Sequence, residues 1–310
     1  MSSVSQDSGA RSQKPEGRRQ TSETRVQNIC IPSSVFCILS SVFCLLFSVF
    51  FLAGCKNRNI DRGQAEIAVT NSYLQCVVND LCPDAEVLCL APPGMCPGHF
   101  DILPSQVTLL RKCRMLLLFD IQERIEDSLS RMKDDGLRVY SVKTSPGLCV
   151  PENYVATSRG VCDILCSEYP ESAAQYRQRL QLIEQRLEHT GAELQASIRQ
   201  VGAASAEVIT SDHQAQFADW LGLETIATFV GSDIETASNI NHCLKRADGR
   251  EVRFVIANKQ EGTALAEALA DRLGAKAVVF SNFPAVDSAG HAFDQLLRQN
   301  VRLLVEAATQ

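Results

Sequence analysis

The sequence predicts an α/β fold of two lobes, each a mainly parallel sheet flanked by helices, joined by one long spine helix. Three observations carry this prediction. Strand-like runs alternate with helix-like runs through residues 66–142, the pattern of a parallel sheet covered on both faces. A second alternation of the same kind occupies residues 206–307. Between them Ala173, Tyr176, Leu180, Ile183, Leu187, Leu194 and Ile198 recur at steps of three, four or seven, which is the spacing of one helix face.

Residues 1–54 read as an export leader and 55–64 as a polar tether. The run VFCILSSVFCLLFSVFFL from Val35 to Leu52 follows a basic, Ser-rich stretch, the layout of an export signal. A permanent membrane helix is the competing reading of the same run. Leu52-Ala53-Gly54-Cys55 closes it; small residues before a cysteine resemble a lipobox, in which the Cys55 thiol receives diacylglycerol. Acyl chains there tether a folded domain to a membrane without spanning it.

The first lobe is expected over residues 65–168. Its strands are predicted at 66–70, 86–90, 115–119 and 138–142, with helices over 71–80 and 122–133 and a Pro/Gly-rich loop from Ala91 to Pro104. The spine occupies 169–201; from Ser172 to Gln200 it is free of proline, and of glycine until Gly191. At about 1.5 Å per residue it extends roughly 40 Å, the diameter of a whole domain. The second lobe, 202–310, carries strand candidates at 206–210, 225–230, 252–257 and 277–280, and amphipathic helices over 262–273 and 292–307.

Composition limits the partners. Removing the leader's five basic and three acidic residues from the chain's 30 and 36 leaves 25 and 33, a surplus of negative charge that repels phosphate backbones and excludes nucleic acid. Beyond Cys55 stand Cys76, Cys82, Cys89, Cys96, Cys113, Cys149, Cys162, Cys166 and Cys243. This odd number leaves at least one thiol unpaired, metal-bound or buried in an oxidising compartment. No GxSxG elbow, P-loop or HExxH motif is present, so the expectation is a binding protein and not an enzyme.

Four segments resemble the metal-binding solute-binding proteins of zinc and manganese ABC importers. Pro92-Pro93-Gly94 followed by Pro104-Ser105 resembles the first ligand loop of that family, and Tyr169-Pro170-Glu171-Ser172-Ala173-Ala174-Gln175-Tyr176 the opening of its spine. Trp220-Leu221-Gly222-Leu223 and the stretch from Leu269 to Lys276 are similar to segments flanking its last two ligands. The resemblance implies a lipid-anchored, extracytoplasmic protein of periplasm or cell surface that captures a metal ion and delivers it to an ABC permease in the inner membrane. A metal complex or other small solute as cargo, or a surface adhesin, are the alternatives.

The ligand positions depart from the family's set of histidines and carboxylates. In Cys96-Pro97-Gly98-His99 the histidine is shifted by one residue, and the second loop, Ser145 to Pro151, offers only Cys149. The third position falls on Ser211, with His213 displaced by two, and the acidic positions fall on or near Asn258 and Ser281, which carry no charge. The candidate metal ligands are therefore His99, His213, Cys149 and Cys96, and imidazole with thiol favours Zn2+ over manganese as the transported ion. Cys96 and Cys149 can instead pair as a disulfide with each other or with Cys89. Cys162 and Cys166 stand at helical i,i+4 spacing, compatible with a metal pair, although the expectation is buried structural cysteines.

Overall fold

The computed structural model describes residues 65–91, 102–122, 129, 136–231, 235–285 and 291–310. The leader, Cys55 and the tether lie outside the described residues, as do Cys96, His99 and most of the helix expected at 122–133. No helix among the described residues is long and apolar enough to cross a membrane.

Eight strands form two sheets of four, every pairing parallel. In the first sheet β1 (Ile67–Val69), β2 (Val87–Cys89), β3 (Met115–Phe119) and β4 (Arg138–Val142) run in the order β2-β1-β3-β4. In the second, β5 (Glu207–Ser211), β6 (Glu224–Phe229), β7 (Phe254–Asn258) and β8 (Lys276–Phe280) run β6-β5-β7-β8. The two orders are the same wiring used twice. In each, the chain leaves its first strand to one side and returns on the other, a switch point whose carboxyl edge is where such sheets bind ligands. The run Met115–Phe119 is wholly buried, as expected of a parallel strand covered on both faces.

The helices are α1 (Ser72–Leu81), α2 (Pro104–Leu110), α3 (Pro151–Glu168), α4 (Ala173–Gln200), α5 (Asp212–Trp220), α6 (Ala237–Ala247), α7 (Ala264–Leu273) and α8 (Ala292–Thr309). Asn71 starts α1 by accepting a hydrogen bond from the Leu74 amide at 3.0 Å, a side-chain cap on an otherwise orphan donor. α4 is the expected spine, 28 residues or about 42 Å long. It buries Tyr176, Ile183, Leu187, Leu194 and Ile198. The helix α3 was not expected as an element. Its inner face carries Thr157, Ser158 and Cys162 among Tyr154, Val155, Val161 and Leu165, so small and polar residues dilute the apolar period that reveals a helix in sequence.

One apolar core runs from the first sheet through α1, α3 and α4 to the second sheet and α8. At its centre Phe293 of α8 stacks on Tyr154 of α3, ring centroids 4.0 Å apart and planes 15° apart, and meets Tyr73 of α1 edge-on at 5.6 Å. An ion network covers this stack. Arg186 of the spine reaches Asp80 of α1 at 2.7 Å and Asp294 of α8 at 3.1 Å, while the Tyr154 hydroxyl donates to Asp80 at 2.9 Å. Gly191 of the spine allows Trp220 to pack closely, since a Cβ there would stand 3.0 Å from the indole ring.

Candidate functional site

The carboxyl ends of the two sheets meet through the loop that follows β4. Gly147 in that loop has φ of +76° and lies so near Gln216 of α5 that a Cβ would approach it to 2.7 Å. Only glycine meets both demands. The turn delivers Cys149, fully buried, to the second lobe, where its Sγ lies 3.2 Å from the Ser281 carbonyl and 3.5 Å from Asn282 Oδ1. Asn300 of α8 donates to the sulfur at 3.6 Å and to the Ser281 carbonyl at 2.9 Å. Burial pushes the Cys149 thiol far up, against a smaller opposing effect of the Asn300 hydrogen bond, so at neutral pH it is a thiol and not a thiolate.

Behind Cys149 stands a wall of neutral amides. Gln214 Nε2 donates to Asn282 Oδ1 at 3.0 Å and to Asn258 Oδ1 at 3.3 Å. Gln214, Asn258, Asn282 and Asn300 are all buried. Gln214 Oε1 is buried without a hydrogen-bond donor, a cost of about 1–3 kcal/mol unless a guest or solvent supplies one.

His213 stands at the start of α5, beside this wall, with its side chain 59% exposed. Its Nδ1 lies 2.5 Å from Glu261 Oε1, and the Ser211 hydroxyl donates to Glu261 Oε2 at 2.5 Å. The hydrogen bond to Glu261 raises the His213 pKa above 6.5, outweighing burial. Burial alone would raise the Glu261 carboxyl, but His213 and Ser211 together bring it below its ordinary value. Sequence reasoning missed Glu261. The acidic position was sought on Asn258, whereas a short turn at Lys259–Glu261 carries the carboxylate three residues further.

The structure thus brings Cys149 and His213 to the same edge of the second sheet, each with its own partners. Among the described residues no group of three or more His, Cys, Asp or Glu side chains converges as a metal site. His99 and Cys96 belong to the loop beyond Ala91, outside the described residues. All eight described cysteines are free, Cys89 and Cys149 included. His189 pairs with Glu193 on the exposed side of the spine.

The description "zinc-uptake complex component A, periplasmic" names a family that matches residues 149–307, just over half of the chain. The chain belongs to that family. The zinc-uptake component A family is one of periplasmic metal-binding proteins that capture solutes, not one of enzymes. Its match begins at Cys149 and takes in α3, the spine and nearly all of the second lobe.

Solved structures extend the fold likeness across both lobes. A crystal structure of ZnuA shares 16% identity with a TM-score of 0.64, covering 79% of this chain and 99% of that one. The Cd-bound periplasmic metal binding protein from Candidatus Liberibacter asiaticus shares 13% at 0.67, over 79% of this chain and all of its own. A mutant laminin-binding adhesin from Streptococcus agalactiae shares 14% at 0.65, over 78% and 99%. At these identities the likeness establishes the fold. No curated protein sequence matches the chain significantly.

Proposed function

We propose that this chain is an extracytoplasmic solute-binding protein that captures a zinc ion between its lobes and passes it to an ABC permease of the inner membrane. In this reading residues 1–54 are removed on export, Cys55 carries the lipid, 55–64 form the tether, and 65–168 and 202–310 are the lobes joined by the spine 169–201.

The observation that supports it most is the His213–Glu261 pair. A carboxylate on Nδ1 fixes the tautomer and leaves Nε2 as the metal-facing nitrogen, an arrangement common to metal-bound histidines. Cys149 supplies sulfur from the opposing lobe after losing its proton, and the loop bearing Cys96 and His99 supplies the remaining donors. Thiolate and imidazole favour zinc over the oxygen-preferring manganese. Relatives in complex with cadmium and manganese are in keeping with cargo of this size and charge.

A second reading is favoured by the amide wall. Gln214, Asn258, Asn282 and Asn300 bring hydrogen-bonding capacity without charge to the sheet edge, and Gln214 Oε1 lacks a donor. A metal complex or another small polar solute would use those groups, whereas zinc, which favours imidazole and thiolate, would leave them unused. Titrating the reduced, demetallated protein with zinc by calorimetry separates the two. Binding tighter than about 1 µM, lost in Cys149→Ser and weakened in His213→Ala, is the expected result; no heat of that strength favours the solute instead.

A further inference from the structure

We infer that Cys162 and Cys166 form a second, two-thiolate site for a soft monovalent cation of the Cu(I) type, at the far end of α3 from the interlobe edge. The two residues occupy consecutive turns of one helix face, and their sulfurs lie 3.9 Å apart. Cys162 is buried and Cys166 half-buried, so the pair is reached from solvent through Cys166. From Pro151 to Cys166 the helix rises roughly 20 Å, which separates this pair from Cys149. The inference is therefore independent of the cargo site.

Helix geometry rules out a disulfide between the two thiols, which are in hydrogen-bonding contact. Side chains at i and i+4 hold their Cβ atoms about 5–6 Å apart, whereas a disulfide requires about 3.5–4.5 Å. Closing a disulfide here would unwind the last turns of α3. A bridging ion needs no such movement. With metal–sulfur bonds of about 2.3 Å, taking zinc as the yardstick, two sulfurs stand about 3.8 Å apart at a tetrahedral angle and about 4.6 Å apart when linear. The observed separation is at the near end of that range, and a modest rotation of the half-buried Cys166 side chain opens it.

The donor count selects the ion. Among the described residues no third His, Cys, Asp or Glu joins the pair, so a tetrahedral zinc site is incomplete here, while two thiolates satisfy a soft d10 cation. The charge balance is also suited to a monovalent guest. Two thiolates and one such cation leave a single negative charge; burial, then Cys166 and Asp163, push the Cys162 thiol up to about 12 against a smaller opposing effect of Arg177, so the ion itself must displace the proton. On binding, each thiol gives its proton to solvent and the sulfur lone pairs bond the ion, with no change of oxidation state.

The test is anaerobic titration of the reduced full chain with Cu(I) against a colorimetric Cu(I) chelator, with X-ray absorption on the loaded protein. The Cys162→Ser/Cys166→Ser variant is expected to lose one equivalent of chelator-resistant Cu(I), and Cys149→Ser to retain it, with a two-sulfur shell for that equivalent. Because Cys162 is buried, Cys166→Ser alone serves as the second variant, with an unchanged far-ultraviolet circular dichroism spectrum as proof of folding. Retention of the full Cu(I) complement in Cys166→Ser, or a shell without two sulfurs for that equivalent in the loaded wild-type chain, overturns the proposal.

Discussion

His213 is held by Glu261 through one ring nitrogen, and that contact governs how the other nitrogen meets a metal ion or a proton. The carboxylate raises the His213 pKa above its ordinary 6.5. Its own contribution to stability is complete below that value and is lost as pH rises through the raised folded value. Metal binding runs the other way, since the imidazole must be neutral to ligate. Zinc affinity is therefore expected to begin falling above pH 6.5 on acidification. Glu261→Gln should shift that fall to lower pH and weaken affinity about 10–100-fold at pH 8, both read by calorimetry over a pH series. Equal pH profiles for the two proteins would detach Glu261 from the site.

Cys149, His213 and Glu261 show why the candidate site was only partly legible in sequence. Cys149 was picked out because the second loop offers no other strong ligand, and His213 because it follows a strand directly; the structure sets both at the sheet edge without joining them in one cluster. Glu261 was not, since nothing in a linear sequence tells that a short turn after β7 folds a carboxylate back beneath α5. The amides were equally silent. Asn300 lies in a helix that reads as an ordinary amphipathic one, and only the return of that helix to the sheet edge sets it against the Cys149 sulfur.

At the scale of elements, the spine does more than separate two lobes. Arg186, midway along it, is shared between Asp80 of the first lobe and Asp294 of the second, with 20% of its side chain exposed and 8% and 11% of theirs. Removing the cation leaves two buried carboxylates facing one another with only the His291 ring among the described residues, 3.7 Å from Asp80, as a neighbouring base, which costs about 3–5 kcal/mol in comparable settings. Arg186→Met, which keeps the apolar stem, is expected to lower Tm by roughly 6–12 °C in a thermal melt. A change within a degree would show that the aromatic stack alone holds the lobes. Regular elements with a strong period were legible here: Met115–Phe119 and Arg138–Val142 fall where predicted, and the helical run read from Ser172 to Gln200 is observed from Ala173 to Gln200. α3 was not, because helix-on-helix contact tolerates the small polar residues that hide its face.

For the whole molecule, the proposed lipid on Cys55 would decide where capture takes place. The polar stretch before Glu66 and the small residues before Cys55 suit a domain on a short lipid leash, and two or more acyl chains are needed to hold it stably. Cys55→Ala is expected to move the protein from the membrane fraction to the soluble extracytoplasmic fraction. Unchanged fractionation would instead indicate that Val35–Leu52 is retained as a helix. The two-lobe architecture itself was legible because both halves alternate strand and helix. Their identical strand order was not, since pairing across a sheet depends on which connection crosses to which side.

The stack of Phe293 on Tyr154 has a bearing on how the protein comes together. Each sheet is made from a continuous stretch of chain and needs nothing from the other to pair its strands. Phe293 and Asp294, by contrast, follow both sheets in the chain and sit on the helix that packs against α1, the spine and β8. Each half can pair its own strands first, and the clasp of Phe293 and Asp294 is added to the packing of α3 on the spine only when α8 arrives.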